Sequence, residues 1–396
     1  PRATHRSSSA ASDVYKRQVT ALIPIALGLR AMILFRWKEL MRLLAVNSLF
    51  SAERIIHNFS HMNHAFLHTI VSRGDAPVSN FLMTNRLSLT SELEEWIVAR
   101  RVTALVVLKD AKLAYENYYL GTQPNDLRIS WSVAKSFLSA LTGILLKEGA
   151  IASMDDPVVK YAPALKGSAY DQVSLRNVLQ MSSGVMFDEE YLDKNSDINR
   201  MGRELALGGT LDGFAAKLQH RFAKPGEVMQ YVSIDTHVIG MVLRGATGRS
   251  IPDLLSDKII RHLGFEEAPY YLTDSEGVAF VLGGLNLRTR DYARFGLMIQ
   301  QDGEYEGKQI VPKQWIRTST VASAKTLPGE DGYGYQWWVA ANNPKEGEFF
   351  ARGVYGQYIY IDRTAKAVIA LNSANRQFLD DGVGEDNIEA LRSIVA

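Results

Sequence analysis

The sequence predicts an α/β protein of the α+β kind, an antiparallel sheet flanked by helices with an all-helical insertion. Three observations carry that prediction. Arg101–Lys109 and Leu113–Leu120 are strand-like runs joined by a short turn at Asp110–Lys112, the signature of an antiparallel hairpin. Near the other end, Gly334–Ala340, Phe349–Asp362 and Ala367–Ser373 read as further strands, the last two paired as a hairpin. Between them the pattern is mainly helical, as in Ser132–Lys147, where Phe137, Leu138, Leu141, Ile144 and Leu145 form an apolar stripe stopped by Gly149. Strands far apart in sequence are therefore expected in one sheet, drawn from about 100–122 and 330–375, with the helical part at about 150–240.

Composition narrows the functional classes. A chain of 396 residues that is 46% hydrophobic and 22% charged has enough apolar surface for a large core and is not a disordered one. The absence of Cys excludes disulfides, thiolate-held zinc or iron–sulfur sites, and a cysteine nucleophile. The net charge of +1 averages two opposites. Residues 1–18 carry a net +3 and residues 19–74 a net +4, so the remainder is mildly acidic at −6 and no nucleic-acid partner is expected.

The front end divides into three stretches. Residues 1–18 lack periodicity, and Ser8–Gln18 reads as a translated sequencing-adapter remnant, the alternative being a basic tail. Residues 19–36 contain a 17-residue apolar run, Val19–Phe35, with the single charge Arg30. As a helix it would span about 26 Å, close to the ~30 Å hydrocarbon core. A signal-peptide core or a helix packed on the body are alternatives, but no small-residue cleavage site follows and an anchor is favoured. Membrane association through residues 19–35, with an anchored or periplasmic body, is therefore the expectation. A cytoplasmic body, which Lys38 and Arg42 would suit, is the alternative. Residues 37–86 are expected as a helical approach segment, with His57, His61, His64 and His68 along one helix face. No carboxylate accompanies that stripe, so a surface face is favoured over a metal site, and no cofactor is expected.

Residues 87–396 hold the chemistry. In Ser132-Val-Ala-Lys135, at the start of an apolar helix, the spacing of three brings the Lys alongside the Ser. The helix N-terminus there lowers the Lys pKa, so a neutral amine can take the Ser proton. Read alone, the same four residues are also an N-capping Ser with a solvated Lys. Tyr231-Val-Ser233, just before the apolar Val238–Leu243, offers a phenol to share that proton, or simply a core Tyr. Gly353-Val-Tyr-Gly-Gln357 lies within a predicted strand, where glycines mark close backbone approach or a bulge. His237, six residues beyond Tyr231, reads as structural, and Ser182-Ser-Gly184 as a turn.

The order of these motifs resembles the class C beta-lactamase-like serine hydrolases, and within them the 6-aminohexanoate-dimer hydrolase and family VIII carboxylesterase types. The blocks RISWSVAKSFLSALTG, DDPVVKYAPAL, VLQMSSGVMFDEEYLD, GLNLRTRDYARFGLM, GYGYQWW and ARGVYGQYIYID carry the likeness from about Leu87 to Ala396. It implies the beta-lactamase/transpeptidase-like fold and a metal-independent acyl-enzyme. Ser132 would be the nucleophile, Lys135 its proton acceptor, Tyr231 the relay, and the N–H groups of Ser132 and Val354 the oxyanion hole. Tyr191 would close over the substrate amide, or be a lid residue that only packs, with Ser233, Tyr355 and Gly356 also lining the site. Apart from the resemblance, Trp337 and Trp338 alternate on a predicted strand, so one faces the cleft and the other the core, and Trp337 is taken as the cleft residue. Two departures count against a beta-lactamase or D,D-carboxypeptidase: Ser233 replaces the usual Asn, and Gly353–Gly356 stands where Lys-Thr-Gly is found. Cleavage of a small ester or linear amide is the expectation. A non-catalytic penicillin-recognition-like module is the alternative from another class.

Overall fold

The computed structural model describes residues 44, 46, 48–342 and 344–396. The tail at 1–18 and the apolar stretch at 19–36 lie outside the described residues. Among the described residues no helix is long and apolar enough to cross a membrane.

Seven strands form the main sheet: β1 (Val102–Lys109), β2 (Lys112–Tyr118), β3 (Gly332–Tyr333), β4 (Trp338–Val339), β5 (Glu348–Gly353), β6 (Gln357–Asp362) and β7 (Ala367–Ser373). Their spatial order is β2-β1-β7-β6-β5-β4-β3 and every neighbouring pair is antiparallel. The first hairpin thus meets the last strand of the chain at the β1–β7 pairing, where Val107 faces Ile369.

Strand pleating sends alternate residues to opposite faces, and both faces are covered. Leu105, Val107, Phe350, Tyr360, Ile369 and Leu371 pack with helices α1 (Ser91–Ala99) and α5 (Val383–Val395). Val106, Leu108, Phe349, Ile359, Ile361 and Val368 face the larger core, which includes α2 (Ala134–Lys147), α3 (Ser233–Thr247) and α4 (Thr289–Gln300). That double burial explains why β1 reads as an unbroken apolar run rather than an alternating one. Helix α4 lies close on the sheet because Gly296 has no Cβ. One placed there would sit 2.6 Å from Val368 Cγ1 and 2.8 Å from Ile359 Cγ2. The insertion between α2 and α3 holds short helices at Leu175–Leu179, Asp197–Leu207 and Leu211–Ala216.

Three expectations are corrected. The run expected as one strand over Gly334–Ala340 folds back on itself: Gly332 pairs with Val339, and Gln336 in the bend has φ 63°. Phe349–Asp362 is two strands rather than one, joined by a turn in which Tyr355 and Gly356 have φ 62° and 85°. Residues 48–86 are not a separate helical segment. Only Ile55–Ser60 is α-helical, His68–Ile70 is a strand, and Leu49, Ile55, Phe59 and Met62 belong to the main core. The four histidines therefore do not share a helix face. His57 is on the helix, His61 ends it, His64 is in a 3-10 turn and His68 in the strand.

Candidate active site

A small second sheet sets the position of Ser132. Its strands are His68–Ile70, Tyr270–Leu272, Leu285–Leu287 and Arg128–Ile129. Arg128 is buried and its guanidinium donates to Ile56 O at 2.9 Å, Ser60 Oγ at 2.7 Å and Thr103 Oγ1 at 3.0 Å. The chain then bends sharply: Trp131 has φ 43°, a left-handed conformation that costs a bulky residue roughly 1–3 kcal/mol. Phe59 edge-on at 5.5 Å and Phe50 at 5.9 Å wedge the Trp131 ring in place. Ser132 follows in a 3-10 turn that runs directly into α2.

Lys135, one turn on, is buried, and its Nζ donates to Ser132 Oγ at 2.8 Å, Leu282 O at 2.8 Å and Ser233 Oγ at 3.2 Å. Burial pulls its ammonium down to about 7, with the charge of Glu189 acting in the opposite direction. An amine with that pKa spends much of its time neutral near pH 7 and can accept a proton.

Tyr231 sits two residues before α3, its ring stacked on Trp338 with centroids 5.2 Å apart. Lys135 Nζ lies 5.2 Å from the centre of the Tyr231 ring. Burial raises the phenol above its ordinary range and Glu189 adds to the rise, while hydrogen bonding to Ser132, the charge of Arg352 and hydrogen bonding to Ser233 act against it. Ser132, Lys135 and Ser233, far apart in sequence, are thus hydrogen-bonded through the one amine, with the Tyr231 ring packed beside it.

Across from Ser132 runs the β5–β6 turn. A Cβ on Gly353 would lie 2.8 Å from Ser130 O and 3.1 Å from Ser132 N, so the strand end presses against the backbone of the Ser132 turn. Ser132, Gly353, Val354, Gly356, Tyr191, Tyr231 and Trp338 line one cavity of about 360 Å³. Tyr355 does not line it. Its ring packs behind, stacked on Phe50 at 5.1 Å and tilted on Phe378 at 4.6 Å. Trp337 is not a cleft residue either: it is buried between Phe349 at 5.3 Å and Phe295 at 6.4 Å, and its neighbour Trp338 faces the cavity. Arg352 also lines the cavity, its guanidinium 4.2 Å from the Trp338 ring and bonded to Asp331 Oδ2 at 3.1 Å. His237 is buried against Asp212, 2.8 Å from its Oδ1, in keeping with a structural part.

Sequence reasoning passed over Glu189, two residues before Tyr191. Its Oε1 accepts from Tyr191 Oη at 2.6 Å and from Ser233 Oγ, and its Oε2 accepts from Ser233 N at 2.9 Å. The run Asp188-Glu-Glu190 shows three acids in a row but not which one turns inward. Phe378, Leu379 and Asn387, which also line the cavity, come from a non-periodic loop and from α5. Nothing in their sequence marks them. Asp235 is a second buried acid nearby. Burial lifts it to about 7 against hydrogen bonds from Ser183 and Tyr170, whose Oη is 2.8 Å from Asp235 Oδ1.

A Ser–Lys–Tyr group at the head of a buried helix, with an antiparallel sheet split around a helical insertion, defines the class of molecule. The chain belongs to the beta-lactamase family, which it matches over residues 91–392. It is similar to the 6-aminohexanoate-dimer hydrolase of Paenarthrobacter ureafaciens, with 28% identity over 298 residues, 71% of this chain and 75% of that protein. Among solved structures it resembles a Bacillus anthracis protein assigned as a 6-aminohexanoate-dimer hydrolase, with TM-score 0.77 and 25% identity, covering 88% of this chain and 95% of the other. The octameric penicillin-binding protein homologue from Pyrococcus abyssi shares the fold at TM-score 0.60 and 21% identity, over 76% and 77% of the two chains. The protein is a hydrolase of the beta-lactamase fold, as the sequence motifs imply.

Proposed function

We propose that this protein cleaves small carboxylic esters or linear amides through a covalent acyl-enzyme on Ser132. The observation that carries the reading is the buried Lys135 amine 2.8 Å from Ser132 Oγ. In the first step Lys135 takes the Ser132 proton as Oγ bonds to the substrate carbonyl carbon. The N–H groups of Ser132 and Val354 hold the oxyanion. Tyr231 passes the proton to the departing alkoxide or amine as the carbon–heteroatom bond breaks, and water then attacks the ester on Ser132 to release the acid.

The surroundings favour an extended substrate. A second cavity of about 760 Å³ shares Tyr231, Trp338 and Arg352 with the first, so space opens on both sides of the phenol. A linear ester or amide has an arm on each side of its carbonyl and fits that layout. Like the sequence departures, the Arg352–Asp331 pair gives no support to a beta-lactamase reading, because the strand-end cation already has a carboxylate partner. Membrane attachment through residues 19–35 would be a separate property of the chain.

Ser132→Ala is expected to abolish hydrolysis of short p-nitrophenyl esters and of the 6-aminohexanoate linear dimer. Lys135→Ala should lower it by about 10²–10⁴-fold. Steady-state rates on those substrates and on a chromogenic cephalosporin test the reading, which a wild-type rate in Ser132→Ala would overturn. Turnover of the cephalosporin well above that of the esters would instead favour a beta-lactamase.

A further inference from the structure

We propose that Glu189 is a positioning residue for this chemistry: its carboxylate ties the Tyr191 loop to the start of α3 and places a negative charge beside the Ser132–Lys135–Tyr231 group. The inference rests on the Ser132 acyl-enzyme reading and adds to it a residue that touches no substrate atom.

The geometry is specific. Both carboxylate oxygens are engaged, Oε2 with Ser233 N at 2.9 Å, Oε1 with Tyr191 Oη at 2.6 Å and with Ser233 Oγ. Ser233 Oγ is also 3.2 Å from Lys135 Nζ, so a continuous path of hydrogen bonds runs from Tyr191 through Glu189 and Ser233 to Lys135 and on to Ser132. The loop carrying Glu189 is itself fixed, since Asn199 Nδ2 donates to Tyr191 O at 2.9 Å and to Asp193 O at 2.7 Å. The start of α3 is a favourable place for a carboxylate, because its free N–H groups and dipole attract negative charge.

The charge balance gives this bridge a chemical effect. Burial lowers Lys135, and Glu189 is the charge that opposes the drop. Beside Lys135 lies the Tyr231 ring, whose phenol is raised chiefly by burial and further by Glu189, while the charge of Arg352 pulls it down. Asp235 and Tyr170 on the inner side, Tyr333 beyond Tyr231, and Tyr191 itself are all raised chiefly by burial, with Glu189 contributing. Glu189 thus moves the acid and basic limits of the proton relay in the same direction.

The test is the rate at which a fluorophosphonate labels Ser132 as a function of pH, with the site confirmed by peptide mass. In the labelling step Ser132 Oγ bonds to phosphorus, fluoride leaves, and Lys135 takes the proton, so the rate follows the neutral amine. The wild type should show a midpoint near 7, where Lys135 titrates. In Glu189→Gln that midpoint should move down by roughly one pH unit, the effect of removing a nearby opposite charge. Glu189→Asp keeps the charge and should keep the wild-type midpoint. If the glutamine variant does not fold, Glu189→Ala carries the same expectation. An unmoved midpoint in a folded, charge-removed variant overturns the inference while leaving Ser132 as nucleophile. Absence of label on wild-type Ser132 at every pH overturns the acyl-enzyme reading itself, and the role of Glu189 falls with it.

Discussion

Ser132 owes its setting as much to Gly353 as to Lys135. The strand end presses on the Ser132 turn so closely that a single methyl would meet Ser130 O at 2.8 Å and Ser132 N at 3.1 Å. Gly353→Ala should therefore push the Val354 N–H away from the proposed oxyanion site, with little change at Lys135. Loss of one such donor lowers kcat by about 10²–10³-fold. Steady-state kinetics on a p-nitrophenyl ester check this, and a Gly353→Ala enzyme within about threefold of wild type would show that the strand supplies no donor. At this scale the positions proposed as catalytic were legible because each lies in a short motif with a chemical reason for its spacing. Glu189 was not, because its function depends on which of three adjacent acids a loop turns inward.

At the scale of elements, alternation along a strand decides which of two adjacent Trp residues reaches the cleft, and sequence alone does not fix its phase. The expected run Gly334–Ala340 is interrupted by a bend at Gln336, which breaks the count of alternating faces and leaves Trp338 on the cavity side. Trp337 is fully enclosed by Phe295 and Phe349, so Trp337→Ala should cost roughly 3–5 kcal/mol of stability. Trp338 is half-buried and supports the Tyr231 ring. Trp338→Ala should cost much less in stability but lower kcat/KM by releasing that ring. Urea unfolding of both variants, with kinetics alongside, separates the two. A larger stability loss in Trp338→Ala would reverse the assignment of faces. The turn at Tyr355–Gly356 was hidden for a related reason. Both flanking strands are buried along nearly their whole length, so no change of period marks where one ends.

Across the whole molecule, the sequence correctly brought the two ends of the chain into one sheet, since hairpin signals at 101–120 and 349–373 need partners. It placed the boundary of the body too late. Phe50 and Phe59 show no long periodic pattern, and only in three dimensions do they meet Trp131 and Tyr355. The outer face of the sheet, by contrast, is closed by the C-terminal helix α5 through one buried ion pair. Arg392 binds Glu348 of β5 with Nη2–Oε2 at 2.6 Å and Nε–Oε1 at 2.7 Å, and Tyr360 Oη of β6 donates to the same Oε1 at 2.6 Å. The side chains are 5% and 1% exposed, so neither charge is screened by solvent. Removing the cation leaves a buried carboxylate without its counter-charge, and Arg392→Ala should destabilise the protein by about 3–5 kcal/mol at pH 7. The pH dependence identifies the cause. Burial acts to raise Glu348, but hydrogen bonds from Arg392 and Tyr360 outweigh it and hold the wild-type carboxyl below its ordinary range. Its contribution is thus present above the unfolded carboxyl range and is lost only as pH falls through the lowered folded value. In Arg392→Ala burial prevails, the carboxyl takes up a proton at higher pH, and the uncompensated charge disappears. The stability gap between wild type and variant should therefore narrow from pH 7 to pH 4 in urea unfolding. A gap that stays constant over that range would mean that the helix is held by the packing of Ile388, Leu391 and Ile394 against the sheet, and not by the ion pair.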